Sequence, residues 1–300
     1  MTRQTAPMGF FNIDKPAGWT SHDVVARVRR IISERQVGHA GTLDPMATGV
    51  LLVCVGRATR LVEYVSALPK VYRATVTFGV ETDTWDAEGR VIAERDATGL
   101  VLEQLSQLLE RFRGEIEQVP PMYSALKRGG QPLYRLARAG QTVEREPRTV
   151  RIHRLDILGW EPPHLSLMIE CSPGTYIRSL AHDLGQVADV GAHLSALVRT
   201  AIGHFDLENA VELEILADPD AADGWRRWLI EPHEALQHLP SVTVSEEQAR
   251  DLGHGRSIEL PEVISGEICC AYDASHRLIA VLVPDEAPGW WRPRKVLVAT

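Results

Sequence analysis

The segment 37–55, VGHAGTLDPMATGVLLVCV, constrains the fold more than any other part of the chain. Its second half, Val50-Leu51-Leu52-Val53-Cys54-Val55, is a continuous apolar run of strand length, the pattern of a buried strand. Its first half is a loop. Gly38, Gly41 and Gly49 allow positive φ or close backbone approach, and Pro45 pushes Asp44 away from helix towards an extended conformation. One carboxylate, Asp44, is thus presented by a shaped loop on a rigid strand. Taken alone, an Asp before Pro most often forms a turn and bonds its own backbone.

Around this segment the periodicity alternates between strand and helix. Residues 9–13 read as a short strand running into DKPAGWTSHD, where Pro16 and Gly18 mark a turn. A helix follows, capped by Thr20 or Ser21, with Val24, Val25, Val28, Ile31 and Ile32 on one face. Residues 56–68 suggest a short helix, and 70–78 alternate as a strand with Tyr72, Ala74, Val76 and Phe78 on one face. A helix capped by Thr98 is expected to run to Phe112, with strands at 150–158 and 165–171. Ile177, Leu180, Ala181, Leu184 and Val187 stripe a further helix whose first turn holds Arg178. A cation there opposes the helix dipole, so an anionic partner is expected.

Charge divides unevenly along the chain. The overall net charge is −8, yet residues 206–300 carry 8 Lys and Arg against 18 Asp and Glu, leaving 24 against 22 in residues 1–205. Within that first part, the irregular Gly/Pro-punctuated stretch 122–154 holds eight basic residues, from Lys127 to Arg154, against Glu144 and Glu146. Such a segment neutralises phosphates, and the interleaved Tyr123 and Tyr134 offer rings for stacking. Cys54, Cys171, Cys269 and Cys270 have no metal-ligand spacing and two lie in strand-like runs, so buried thiols are expected rather than a metal site. No Walker, Rossmann or HExxH pattern occurs. No apolar run reaches membrane-spanning length and the N-terminus lacks a signal-peptide core, so a cytoplasmic protein is expected.

The run GHAGTLDPMATGVL closely resembles the catalytic motif of the bacterial tRNA pseudouridine-55 synthases, the TruB family. The resemblance implies that Asp44 is catalytic and that His39 helps extrude the target base. DKPAGWTSHDVV resembles the family's N-terminal motif, whose Lys and Pro, here Lys15 and Pro16, support the catalytic loop. Lys70-x-Tyr72 matches its K-x-Y motif, which places Tyr72 against the flipped uracil. Thr82-Asp83-Thr84-Trp85-Asp86 resembles its Thr-Asp-Thr-x-Asp loop, with Asp86 as a substrate contact. GTYIRSLAHDLG resembles its third motif, implying an Asp44–Arg178 pair with Tyr176 beside it, and the following match makes Leu197 an apolar wall of the base pocket. Tyr123, Lys127 and Arg138 are carried over as RNA contacts from the segment that closes over the substrate.

The implied fold is α+β: a mixed, largely antiparallel sheet with flanking helices in residues 1–218, a linker or docking segment at 219–239, and a small PUA-type β-barrel at 240–300. The implied activity is isomerisation of uridine 55 in the T loop of tRNA, by base flipping and a single essential Asp acting as nucleophile or base. No cofactor is needed, and a monomer acting on the T arm without a guide RNA is expected. Two other readings compete. A non-catalytic RNA-binding protein has no use for the Asp44, Tyr72 and Arg178 constellation, and a guide-dependent enzyme of the dyskerin type is disfavoured by the short N-terminus and absence of a Lys-rich tail.

Overall fold

A computed structural model describes residues 7–124, 126–128, 130–138, 140–141, 143–218, 224–260 and 266–298, without the side chains of residues 127, 128, 132, 134 and 138. Ten strands form the main sheet: β1 (Gly9–Lys15), β2 (Val37–Ala40), β3 (Thr48–Val55), β4 (Lys70–Phe78), β5 (Gly114–Gln118), β6 (Arg148–Glu161), β7 (His164–Cys171), β8 (Ala192–Ile202), β9 (Phe205–Asp206) and β10 (Val211–Glu212). The order is β10-β1-β3-β8-β4-β7-β6-β5, with β2 on β3 and β9 on β8. Only β10–β1 and β3–β8 pair in parallel. The sheet is therefore mixed and largely antiparallel, as expected.

Both faces of the sheet are covered, which is why β3 reads as an unbroken apolar run. Helices α1 (Ser21–Ile32), α2 (Leu102–Leu109) and α3 (Ile177–Val187) lie on one face, where Phe11, Leu51 and Val53 join Val24, Val28, Leu105, Leu180 and Leu184 in one core. Thr20 caps α1 in a reciprocal box with Asp23, an arrangement worth about 1 kcal/mol. The helix expected from Thr98 starts later, after Val101. Thr98 instead gives its amide (2.9 Å) and its hydroxyl to the Asp96 carboxylate in a tight turn, so the side chain a cap would use is already engaged. The helix expected at 56–68 is a 3₁₀ segment, Gly56–Leu61, followed by an α-helical turn, Val62–Ser66.

Five further strands, β11 (Ser241–Thr243), β12 (Ile258–Glu259), β13 (Cys269–Tyr272), β14 (Leu278–Pro284) and β15 (Trp290–Val296), form a curled sheet ordered β11-β13-β14-β15-β12. The described strands make a half-barrel, since β11 and β12 do not pair with each other. Val244, Leu252, Ile279, Leu282 and Trp291 fill its own small core. Its other face, with Cys270, Tyr272, Leu278 and Val281, packs with Phe10, Val50, Leu52 and Cys54 of the main sheet's second face and with Val65 of the helical turn Val62–Ser66. Arg57 and Arg60 donate to the carbonyls of Leu297 and Val296 (2.8 and 2.6 Å), and Glu63 pairs with Arg294 and Lys295. All four cysteines are free and buried.

Candidate active site

The loop between β2 and β3 is held from both sides by buried cations. Lys15, at the end of β1, is fully buried, and its Nζ donates to the carbonyls of Pro16 (2.9 Å), Trp19 (2.7 Å) and Pro45 (3.2 Å). It thereby ties the DKPAGW turn to the residue after Asp44. The Gly18 amide also donates to Pro45 O, and Ser21 Oγ exchanges hydrogen bonds with both main-chain groups of Leu43. Gly49 ends the loop at φ +96°, with an added Cβ falling 2.3 Å from the Arg199 carbonyl oxygen. Only glycine permits β3 to approach β8 this closely.

This frame points Asp44 at Arg178 across the cleft. Arg178 Nη2 donates to Asp44 Oδ1 at 2.9 Å and to the Tyr123 carbonyl at 2.7 Å, while Nη1 lies 3.5 Å from Asp86 Oδ2. Arg178 is 4% exposed, so both carboxylates meet one desolvated guanidinium at the N-terminus of α3, the anionic partner its position called for. Asp86 is fixed in turn by Thr84 Oγ1 (2.6 Å) and the Glu88 amide (3.1 Å). Trp85, at φ +64°, stacks on His182 one turn beyond Arg178 on α3, with ring centroids 4.3 Å apart.

Burial at the cleft floor raises the pKa of Asp44; Arg178 opposes this and neighbouring Asp86 reinforces it. About a third of the side chain touches the cleft, but the protein around it displaces most of the water that would solvate its charge. Burial lowers Lys15 to about 8 against the pull of Asp44, and lowers Lys70 to about 8 with Arg199 adding to the effect. Burial also raises the Tyr72 phenol, which Arg199 counteracts, and lowers His39.

Asp44, His39, Tyr72, Asp86, Tyr123, Tyr176, Arg178 and Leu197 all line one cleft of about 1290 Å³. Lys15 and Pro16 are not among its lining residues; Lys15 Nζ donates to the Pro16 carbonyl, and both act on the cleft only through the loop they hold. The side chains of Lys127 and Arg138 lie outside the described part of the structure. Two buried residues that sequence reasoning did not single out complete the frame. Gln118, 2% exposed, clamps the backbone of Tyr176 through both ends of its amide (2.9 and 2.7 Å). Arg199, 1% exposed, bonds the carbonyls of Gly41, Thr42 and Val50. No alternation signals Arg199: register shifts at Leu194/Ala196 and Arg199/Ala201 move the faces of β8, and counting in twos along the sequence sets it with His193 and Ser195.

A carboxylate bridged to a buried Arg, beside a tyrosine in the same cleft, suits covalent or proton-transfer chemistry on a bound substrate. Residues 29–177 match the model of the TruB family pseudouridylate synthase N-terminal domain, and residues 178–237 match that of the tRNA pseudouridylate synthase B C-terminal domain. The chain belongs to the TruB family. Curated TruB relatives named tRNA pseudouridine synthase B include those of Dehalococcoides mccartyi strain BAV1, 45% identical over 97% of this chain and 96% of that protein, and Symbiobacterium thermophilum, 54% identical over 82% of each. Among solved structures, the TruB chain resembles one from an H/ACA RNP bound to a substrate RNA containing 2′-deoxyuridine, with TM-score 0.74, 25% identity and coverage of 97% of this chain and 85% of the other. A chain of a Cbf5-Nop10-Gar1 complex gives TM-score 0.73 at 27% identity, over 97% and 84%.

Proposed function

We propose that this enzyme converts uridine to pseudouridine at position 55, in the T loop of tRNA, with no cofactor. The observation that carries the reading is the Asp44–Arg178 pair at the floor of a cleft large enough for a flipped nucleotide. Asp44 acts on the ribose, either by bonding C1′ or by removing the C2′ proton, and both routes require its ionised form. Arg178 favours that form and Asp86 orients Arg178. Tyr72, Tyr176 and Leu197 wall the base, while His39 enters the space the base vacates, flipping itself costing a few kcal/mol. Lys15 and Pro16 hold the loop. Tyr123, Lys127 and Arg138 engage RNA phosphates and bases.

The proposal extends to organisation. Residues 1–218 supply catalysis, 219–239 dock the two parts, and 240–300 serve as a PUA-type module adding contact area for tRNA. The protein works as a cytoplasmic monomer without a guide RNA; identity of 45–54% to tRNA enzymes against 25% to the ribonucleoprotein chain supports that choice. The decisive experiment incubates the purified protein alone with an unmodified tRNA transcript. Pseudouridine at the T loop is expected, and no product without added protein or RNA components would remove the reading. In the same assay Asp44→Asn should abolish turnover while tRNA affinity stays within about tenfold, because phosphate contacts hold the substrate.

A further inference from the structure

Arg199 is directly opposite Tyr72 across the β8–β4 pair, and both residues line the cleft. Its Nε donates to Val50 O (2.7 Å), Nη2 to Gly41 O (3.0 Å) and Nη1 to Thr42 O (3.4 Å). A guanidinium has five N–H groups, so two remain beyond these main-chain bonds, and the Tyr72 hydroxyl is a side-chain partner of this guanidinium. Arg178 is shared between two carboxylates, whereas Arg199 has none within ion-pair distance among the described residues. Lys15 and Lys70 are turned onto carbonyls. Among the described residues Arg199 is therefore a buried guanidinium with no carboxylate partner, beside the tyrosine that walls the base.

We propose that Arg199 stabilises the negative charge that forms on uracil when its bond to the sugar breaks. The inference rests on the uridine-isomerase reading above. Heterolysis leaves the C1′–N1 electron pair on N1, spread to O2 and O4, as Asp44 either bonds C1′ or takes the C2′ proton. C5 of the rotated anion then bonds C1′, displacing Asp44 or receiving the glycal while Asp44 returns the proton to C2′. The C5 proton is finally lost as the ring takes one up at nitrogen. On either route uracil is an anion between the two bond events, and a fixed charge in a water-poor cleft acts on it without reorganisation. Arg178 cannot serve both ends, since strengthening uracil's charge would weaken its hold on Asp44.

The test compares single-turnover rates on tRNA transcripts carrying uridine or 5-fluorouridine, read as loss of the N-linked nucleoside after nuclease digestion. Fluorine at C5 withdraws electrons and stabilises the uracil anion by itself. Arg199→Gln should slow the uridine reaction by roughly 10²-fold, with a slowing at least about tenfold smaller on 5-fluorouridine. Arg199→Lys, which keeps the charge and loses the fork, should fall between Gln and wild type and show the same relief. Equal slowing on the two RNAs would overturn the proposal and leave Arg199 a pin for the loop. Should the Gln variant fail to fold, the Lys variant decides by the same comparison: relief by fluorine supports the proposal and its absence overturns it. Wild-type protein inactive on uridine would instead remove the underlying isomerase reading.

Discussion

Replacing Arg178 by Lys preserves charge and removes geometry, which isolates what the fork contributes. The native guanidinium serves four acceptors on three chain segments: Asp44 Oδ1 and Tyr123 O through Nη2, and, at longer range, Asp86 Oδ2 and Thr84 O through Nη1. An ammonium is a single point with three donors and cannot span both carboxylates in this arrangement. If it stays with Asp44, the Asp86 side keeps only Thr84 Oγ1 and the Glu88 amide. A hydrogen bond to a charged group contributes about 1.5–3 kcal/mol, so losing one side predicts a drop of about one to two orders of magnitude in the single-turnover rate. Arg178→Met should cost more and should also move the acid limb of the pH–rate profile upward. The sign follows from the opposing effects at Asp44: burial raises its pKa and Arg178 lowers it, so removing that cation leaves burial opposed only by Lys15 and the carboxylate ionises only at higher pH. Tritium release from C5-labelled tRNA, followed from acid to alkaline pH, measures both quantities. Wild-type rates in Arg178→Lys, or an acid limb that does not move in Arg178→Met, would refute the argument.

Three other outcomes are expected. Activity should decline above about pH 8, because Lys15 loses its proton near there and a neutral amine cannot donate to all three of its carbonyls; a Lys15→Met variant that retained this alkaline limb would assign it elsewhere. Gly49→Ala should destabilise the fold by at least about 2 kcal/mol in denaturant melts, since the new Cβ meets a backbone oxygen at 2.3 Å from a residue at φ +96°, and an unchanged midpoint would contradict that contact. Neutralising Lys127, Arg135 and Arg138 together should flatten the log–log salt dependence of tRNA binding by up to about three units, and an unchanged slope would place the RNA on another surface.

Local pattern was enough to read most elements. The alternation in residues 70–78 returns as β4 with Tyr72, Ala74, Val76 and Phe78 all buried, and the 3.6-residue stripe after Thr20 returns as α1. The later start of α2 was not legible because Thr98 is equally good as a helix cap or as part of a turn, and Asp96 two residues before it decides for the turn. Candidate site residues were legible where a loop motif carried them. Gln118 and Arg199 were not, since each sits alone in a strand and its role depends on which backbone lies opposite.

The chain's own order of residues determined the shaped loop around Asp44, the buried strand that carries it and the cation in the first turn of α3. These follow from backbone preference and periodicity within a few residues. Periodicity and backbone preference say nothing of a contact between Asp44 and Arg178, 134 positions apart; the family resemblance implied the pair, and the tertiary structure brings the two together at 2.9 Å. That meeting depends on the strand order β3-β8-β4, which sets the loop beside the helix preceding β8, and on Lys15 and Arg199 fixing the loop from opposite ends. The same holds for the C-terminal half-barrel, whose acidic composition says nothing of the apolar face it lays against β1 and β3. Periodicity is a property of neighbouring residues, whereas the packing of distant segments is settled by the shape and burial of whole surfaces.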